Sequence, residues 1–117
     1  MARLPIKKEH NMELYEQISR LSSPEECFCF FKDLCSPTEL ASIEQRFEVA
    51  GMLMRGQVYT EISEQTRASS ATISRVNRVL SDGTGVLFSA VEGMIEAEDR
   101  AKDSTPGGTA PKEPPIL

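Results

Sequence analysis

Arg75 and Arg78, one helical turn apart, lie in the stretch YTEISEQTRASSATISRVNRVL that runs from Tyr59 to Leu80. Two guanidiniums at that spacing can reach guanine O6 and N7 or a phosphate backbone. The small residues just before them, Ser70 and Ala71, let the start of a helix approach a duplex without collision, and its free N–H groups favour phosphate. Thr72 and Ser74 can donate to phosphates or base edges. A bidentate arginine–guanine contact is worth about 1–3 kcal/mol of discrimination.

Such side chains need a scaffold, and the same stretch reads as a helix-turn-helix over about residues 59–80. Ile62 and Thr66 face inward from a short first helix, and Ser63 is the small residue where the second helix crosses close to it. Ala68 packs in the turn and Ser69 caps the second helix. Ile73, Val76 and Leu80 then bury the inner face of that helix, leaving Ser70, Ala71, Thr72, Ser74, Arg75, Asn77 and Arg78 outside. The turn position, commonly glycine, is Arg67. Either Arg67 adopts a positive φ at a cost of order ~1 kcal/mol, or the turn has another geometry and Arg67 contacts phosphate. The rival to nucleic-acid binding is a protein-interaction module, in which this scaffold docks another protein and the acidic ends of the chain repel DNA; the plainer alternative is a helix pair whose two arginines are simply a solvated face.

No other constellation suggests chemistry. Cys27, Cys29 and Cys35 do not converge on one side of a helix, since at about 100° per residue Cys29 lies about 200° from Cys27. They read as buried reduced thiols, and three are too few and too odd in number for a disulfide framework. His10 is the single histidine and has no evident partner. No glycine-rich phosphate loop, paired histidines or nucleophile elbow occurs. Neither an enzyme nor a metal or other cofactor is expected.

The charge balance sets a condition. The 117 residues carry 13 basic and 18 acidic side chains, net −5, which argues against a broad electrostatic coat for nucleic acid. The charge is unevenly spread, however: residues 1–45 are net −3, residues 46–78 net +2 and residues 79–117 net −4. The basic island contains the helix-turn-helix together with Arg46 and Arg55. No run approaches the roughly 20 apolar residues of a membrane span, and residues 1–10 lack the continuous apolar core of a secretory signal. A cytoplasmic protein with no membrane partner is expected.

The period elsewhere is helical and the boundaries are signed. Leu14, Ile18 and Leu21, with Tyr15, give a first amphipathic helix. Ser23-Pro24-Glu25-Glu26 and Ser36-Pro37-Thr38-Glu39 both read as an N-cap, a proline in the first turn and a capping-box glutamate. The second helix carries Cys27, Phe30, Phe31 and Leu34 as one stripe, widened by Phe28 and Cys35. The third carries Leu40, Ile43, Phe47, Ala50 and Met54 and stops at Gly56, a left-handed cap. Shorter helices near 59–66 and 70–81 follow, Gly83 and Gly85 interrupt the chain, and a last helix spans about 86–100. The fold class is all-α, about six helices over residues 11–102, with a flexible N-terminus at 1–10. Residues 103–117, rich in proline, glycine, serine and threonine, read as a disordered tail. Apolar stripes this broad on so short a chain call for a second subunit, and a homodimer is the simplest solution.

The segments EECFCFFKDLCSPTEL, ELASIEQRFEVAGMLMRG and YTEISEQTRASSATISRVNRVL together resemble the Trp repressor superfamily, specifically its YerC/YecD-type branch, over about residues 11–98. That resemblance implies an intertwined homodimer that presents two reading helices to successive major grooves of a double-stranded DNA operator, in a transcriptional regulator, most simply a repressor. It also implies a comparison with the tryptophan corepressor pocket. Arg46 and Arg75 match the two arginines that hold the corepressor, but Val76 stands where the repressor has glycine and Val79 where a serine receives the ligand's amino group. Tryptophan is therefore not expected to bind, and any effector is unknown. Arg46 has a second reading, as a structural arginine paired with a carboxylate or a backbone-facing charge. The residues expected to meet DNA are Ser70, Ala71, Thr72, Ser74, Arg75 and Arg78, with Arg55 and Arg67 as flanking phosphate contacts.

Overall fold

A computed structural model describes residues 10–103. Within them the chain forms α1 (Met12–Ser19), α2 (Pro24–Leu34), α3 (Pro37–Met54), α4 (Tyr59–Thr66), α5 (Ser70–Asp82) and α6 (Val86–Asp103). No strand occurs among the described residues, so the all-α class holds. The expected last helix runs on to Asp103 rather than ending near 100. The expectations of a flexible start and a disordered tail fall mainly on residues 1–9 and 104–117, which lie outside the described residues.

The helix starts follow the local code. Asn11 caps α1, its Oδ1 accepting from Leu14 N–H at 3.3 Å. At Ser36 the capping box is complete: Ser36 Oγ accepts from Glu39 N–H, and Glu39 Oε1 accepts from Ser36 N–H at 2.8 Å. At α2 it is displaced by one residue. Ser23 Oγ accepts from Glu26 N–H at 3.0 Å, but Glu26 Oε1 accepts from both the N–H and the hydroxyl of Ser22. The end of α3 is a Schellman motif, with Gln57 N–H donating to Met52 O, Gly56 N–H donating to Leu53 O, and Gly56 at φ +85. The α5–α6 connection turns on Gly83, whose N–H meets Val79 O at 2.8 Å. A Cβ at Gly83 would stand 2.6 Å from that same oxygen, too close for any other residue without a shift of backbone.

The core belongs to the last four helices. Val49, Ala50, Ile62, Ala68, Ile73, Val76 and Val91 are buried, flanked by Met52, Leu53, Leu80, Leu87, Met94 and Ile95. Helix α3 is the shared partner, with α2, α4, α5 and α6 all packing against it. Truncating a fully buried aliphatic such as Ile62 or Ile73 to alanine typically costs about 2–5 kcal/mol, so these residues hold the helix-turn-helix to α3.

The first two helices behave differently. Neither buries a single residue, and the expected α3 stripe divides. Ala50 is in the core, whereas Ile43 and Phe47 are 46% and 43% exposed. Between α2 and α3 lies an open groove of about 1170 Å³, lined by Cys27, Phe28, Phe31, Leu40, Ile43 and Phe47 among others. The three cysteines follow suit. All are free, Cys29 is exposed and Cys27 and Cys35 are half-buried. The expectation of buried thiols is thus corrected: α2 has no second layer within one chain to bury them. No helix of the described residues is long and apolar enough to cross a membrane.

Candidate nucleic-acid interface

The turn between α4 and α5 is fixed by side chains on three elements. Arg67 takes the left-handed conformation, φ 66 and ψ 14, as the C-cap of α4, and its N–H donates to Ser63 O at 2.8 Å. Of the two geometries open at Arg67, the positive-φ one is observed. Thr66 Oγ1 donates to Ile62 O at 2.7 Å and accepts from Ala68 N–H at 3.1 Å. From α3, Gln45 Nε2 donates to Thr66 O at 3.0 Å, giving one of the orphan carbonyls at the end of α4 a partner. Ser69 then starts α5 by accepting from Thr72 N–H at 3.1 Å, while its own hydroxyl donates to Thr72 Oγ1 at 3.2 Å.

These bonds aim one face of α5 outward. Ile73 and Val76 are buried, while Ser70, Ala71, Ser74, Arg75, Asn77 and Arg78 are exposed. Thr72 is half-buried, its hydroxyl already engaged by Ser69. Arg67 projects from the turn beside this face and is exposed. Among the described residues Arg67, Arg75 and Arg78 make no ion pair, so their charge is uncompensated by neighbouring carboxylates. Arg55 differs. Its Nη2 donates to Glu98 Oε1 on α6 at 2.5 Å.

Arg46 and Arg75 both line a second cleft, of about 370 Å³, together with Ile43, Phe47, Val76, Val79 and Leu87. Val76 is only 5% exposed, and Val79 is 40% exposed. Among the described residues Arg46 makes no ion pair. No group of three or more His, Cys, Asp or Glu side chains able to hold a metal occurs among the described residues.

Sequence reasoning missed two features. Gln45 carried no signal, being a polar residue on a helix 21 positions before the carbonyl it serves. The partner of Arg55 was equally hidden, 43 residues further along the chain.

Comparison with known proteins agrees with this geometry. The family model described as Trp repressor protein matches residues 9–94. An uncharacterized protein of Bacillus subtilis (strain 168), YerC, is 44% identical over 86 residues, covering 74% of this chain and 83% of that protein. Among solved structures, a TrpR-like protein from Eubacterium eligens is 42% identical, with a TM-score of 0.68 over 71% of this chain and 86% of that one. A candidate Trp repressor from Staphylococcus aureus is 38% identical, with a TM-score of 0.71 over 80% of this chain and 96% of that one.

Proposed function

This chain belongs to the Trp repressor protein family, and we propose from that premise that it is a sequence-specific DNA-binding regulator acting as a homodimer. The observation that carries the proposal is the exposed face of α5, where among the described residues Arg75 and Arg78 make no ion pair and stand beside Ser70, Ala71 and Ser74 on a helix anchored by buried Ile73 and Val76. In this reading α5 enters the major groove, Arg75 and Arg78 read base edges or phosphate, and Arg67 adds a phosphate contact at the turn. Thr72 acts through its half-buried hydroxyl, by positioning Ser69 and the first turn of the helix.

Dimerisation supplies two such helices. The exposed Phe28, Leu34, Ile43 and Phe47 and the α2–α3 groove form an apolar surface of the kind a second subunit covers. Occupation of a promoter by the docked dimer would exclude other proteins from the same DNA, and repression is the corresponding outcome. Tryptophan is not the effector in this reading. The cleft keeps two arginines for a carboxylate, but Val76 and Val79 offer an ammonium group no polar partner and reduce the room for an indole.

The test is selection of bound duplexes from a random pool, followed by binding of the selected site to the Arg75→Ala/Arg78→Ala double variant. A two-fold symmetric site with half-sites about one helical turn apart is expected, with binding lost in the variant while its oligomeric state is unchanged. Undiminished affinity in the variant would remove α5 from the mechanism. If the parent protein selects no duplex, the protein-interaction reading takes precedence.

A further inference from the structure

Arg55 occupies the entry to the helix-turn-helix, as the C-cap of α3, yet its side chain turns away from solvent-facing α5 toward α6. Its Nη2 meets Glu98 Oε1 at 2.5 Å, with side chains 35% and 50% exposed. Its Nη1 lies over the backbone of its own helix, 2.9 Å from where a Cβ on Gly51 would stand, with Met94 Cε 3.7 Å from the same point. Gly51 is buried and helical, so its missing side chain leaves a notch. The guanidinium lies in that notch and is held there by a carboxylate from the other side.

We propose that Gly51 and Glu98 form a latch that withholds Arg55 from the phosphate backbone of a bound duplex; the inference rests on the DNA-binding reading above. The basic island loses one of its cations to an internal acid. The remaining cations of the reading head, Arg67, Arg75 and Arg78, belong to the turn and to α5, so binding leans on base-reading contacts more than on general attraction to phosphate. An ion pair this exposed contributes little to stability, so the latch can be opened by a small perturbation. Arg55 is then a reserve cation, silent in the parent protein and recruited when its seat or its acid is removed.

The latch is tested with a mixed-sequence duplex, reading affinity against salt concentration by fluorescence anisotropy. Four single variants and the parent are compared: Arg55→Ala, Arg55→Lys, Glu98→Gln and Gly51→Ala. Arg55→Ala is expected to match the parent in salt slope, because Arg55 contributes no phosphate contact there. Glu98→Gln and Gly51→Ala are both expected to bind several-fold tighter, with a slope steeper by about 0.9 for each arginine freed. Glu98→Gln, read against its combination with Arg55→Ala, is the decisive variant, since it removes the acid that holds the guanidinium; Gly51→Ala leaves the net charge untouched but asks only a small shift of the Nη1 end, so its effect should be the smaller of the two. Combining Arg55→Ala with either should restore the parent slope. Arg55→Lys, which keeps the charge but lacks the planar fork, should bind tighter than the parent in the same way.

A flatter slope for Arg55→Ala would overturn the latch, because Arg55 would already be on phosphate. Unchanged slopes in both Glu98→Gln and Gly51→Ala, with helical content retained by circular dichroism, would overturn it as well. If Gly51→Ala fails to fold, Glu98→Gln and its combination with Arg55→Ala decide alone. Absence of duplex binding by the parent at low salt would defeat the DNA reading and the latch together, an outcome distinct from a parent that binds with Arg55 engaged.

Discussion

The Ser63 hydroxyl donates to the Ala68 carbonyl at 3.1 Å, spanning the turn whose middle is Arg67 at φ 66. Together with the Thr66 bonds on either side, it holds a non-glycine residue in a conformation that L side chains rarely adopt.

Replacing Arg67 by glycine should therefore relieve strain. The expected gain is about 1 kcal/mol in unfolding free energy, reduced somewhat by the greater freedom of glycine in the unfolded chain. Thermal unfolding of Arg67→Gly beside Arg67→Ala separates backbone from side chain, because alanine keeps the strain. If both variants lose duplex affinity equally, the guanidinium is a phosphate contact and its retention at this position is explained by binding.

Removal of the α5 cap should cost more than loosening it. Ser69→Ala deprives Thr72 N–H of its acceptor and is expected to destabilise by about 1 kcal/mol, whereas Ser69→Gly should cost only a few tenths. Denaturant unfolding would show the difference. Equal losses for the two variants would mean that the hydroxyl serves something other than the cap.

Phe47 distinguishes association from folding. It is 43% exposed within one chain and lines both the α2–α3 groove and the smaller cleft. Phe47→Asp should leave the far-ultraviolet spectrum of the α3–α6 core largely intact while halving the mass seen by sedimentation equilibrium. A parent protein that sediments as a monomer at every concentration would contradict the dimer.

Titration calorimetry with tryptophan should show no binding up to millimolar ligand. Apart from its two arginines the cleft is lined by apolar side chains, Val76 and Val79 among them, and an unpaired ammonium against apolar walls is costly to desolvate. Micromolar affinity would require those valines to move and would restore a corepressor role.

Local signals account for what could be read from the amino-acid order. Ser23, Ser36 and Ser69 each sit before a helix they cap in the structure, and Gly56 ends α3 where a left-handed residue was needed. The inward positions Ile62, Ala68, Ile73 and Val76 are all buried, because period and turn chemistry in a helix-turn-helix leave few alternatives. What escaped depends on through-space partners. Apolar Ile43 and Phe47 have the period of core residues, as Ala50 does, and only the three-dimensional arrangement reveals that Val49 and Gly51 join Ala50 on the inner face of α3 while Ile43 and Phe47 stay half-open. The choice at Arg67 needed the backbone itself, since a sequence does not carry φ. The seat of Arg55 required two residues from different helices, one of them significant for the side chain it lacks.

Gln45 and Thr66, bonded to each other at the end of α4, also line the α2–α3 groove. Any chain segment laid into that groove meets the same two residues that hold the entrance to the turn. In the homodimer proposed above, a partner segment laid into the groove would therefore bear on the residue that holds the last carbonyl of α4 as well as cover apolar surface.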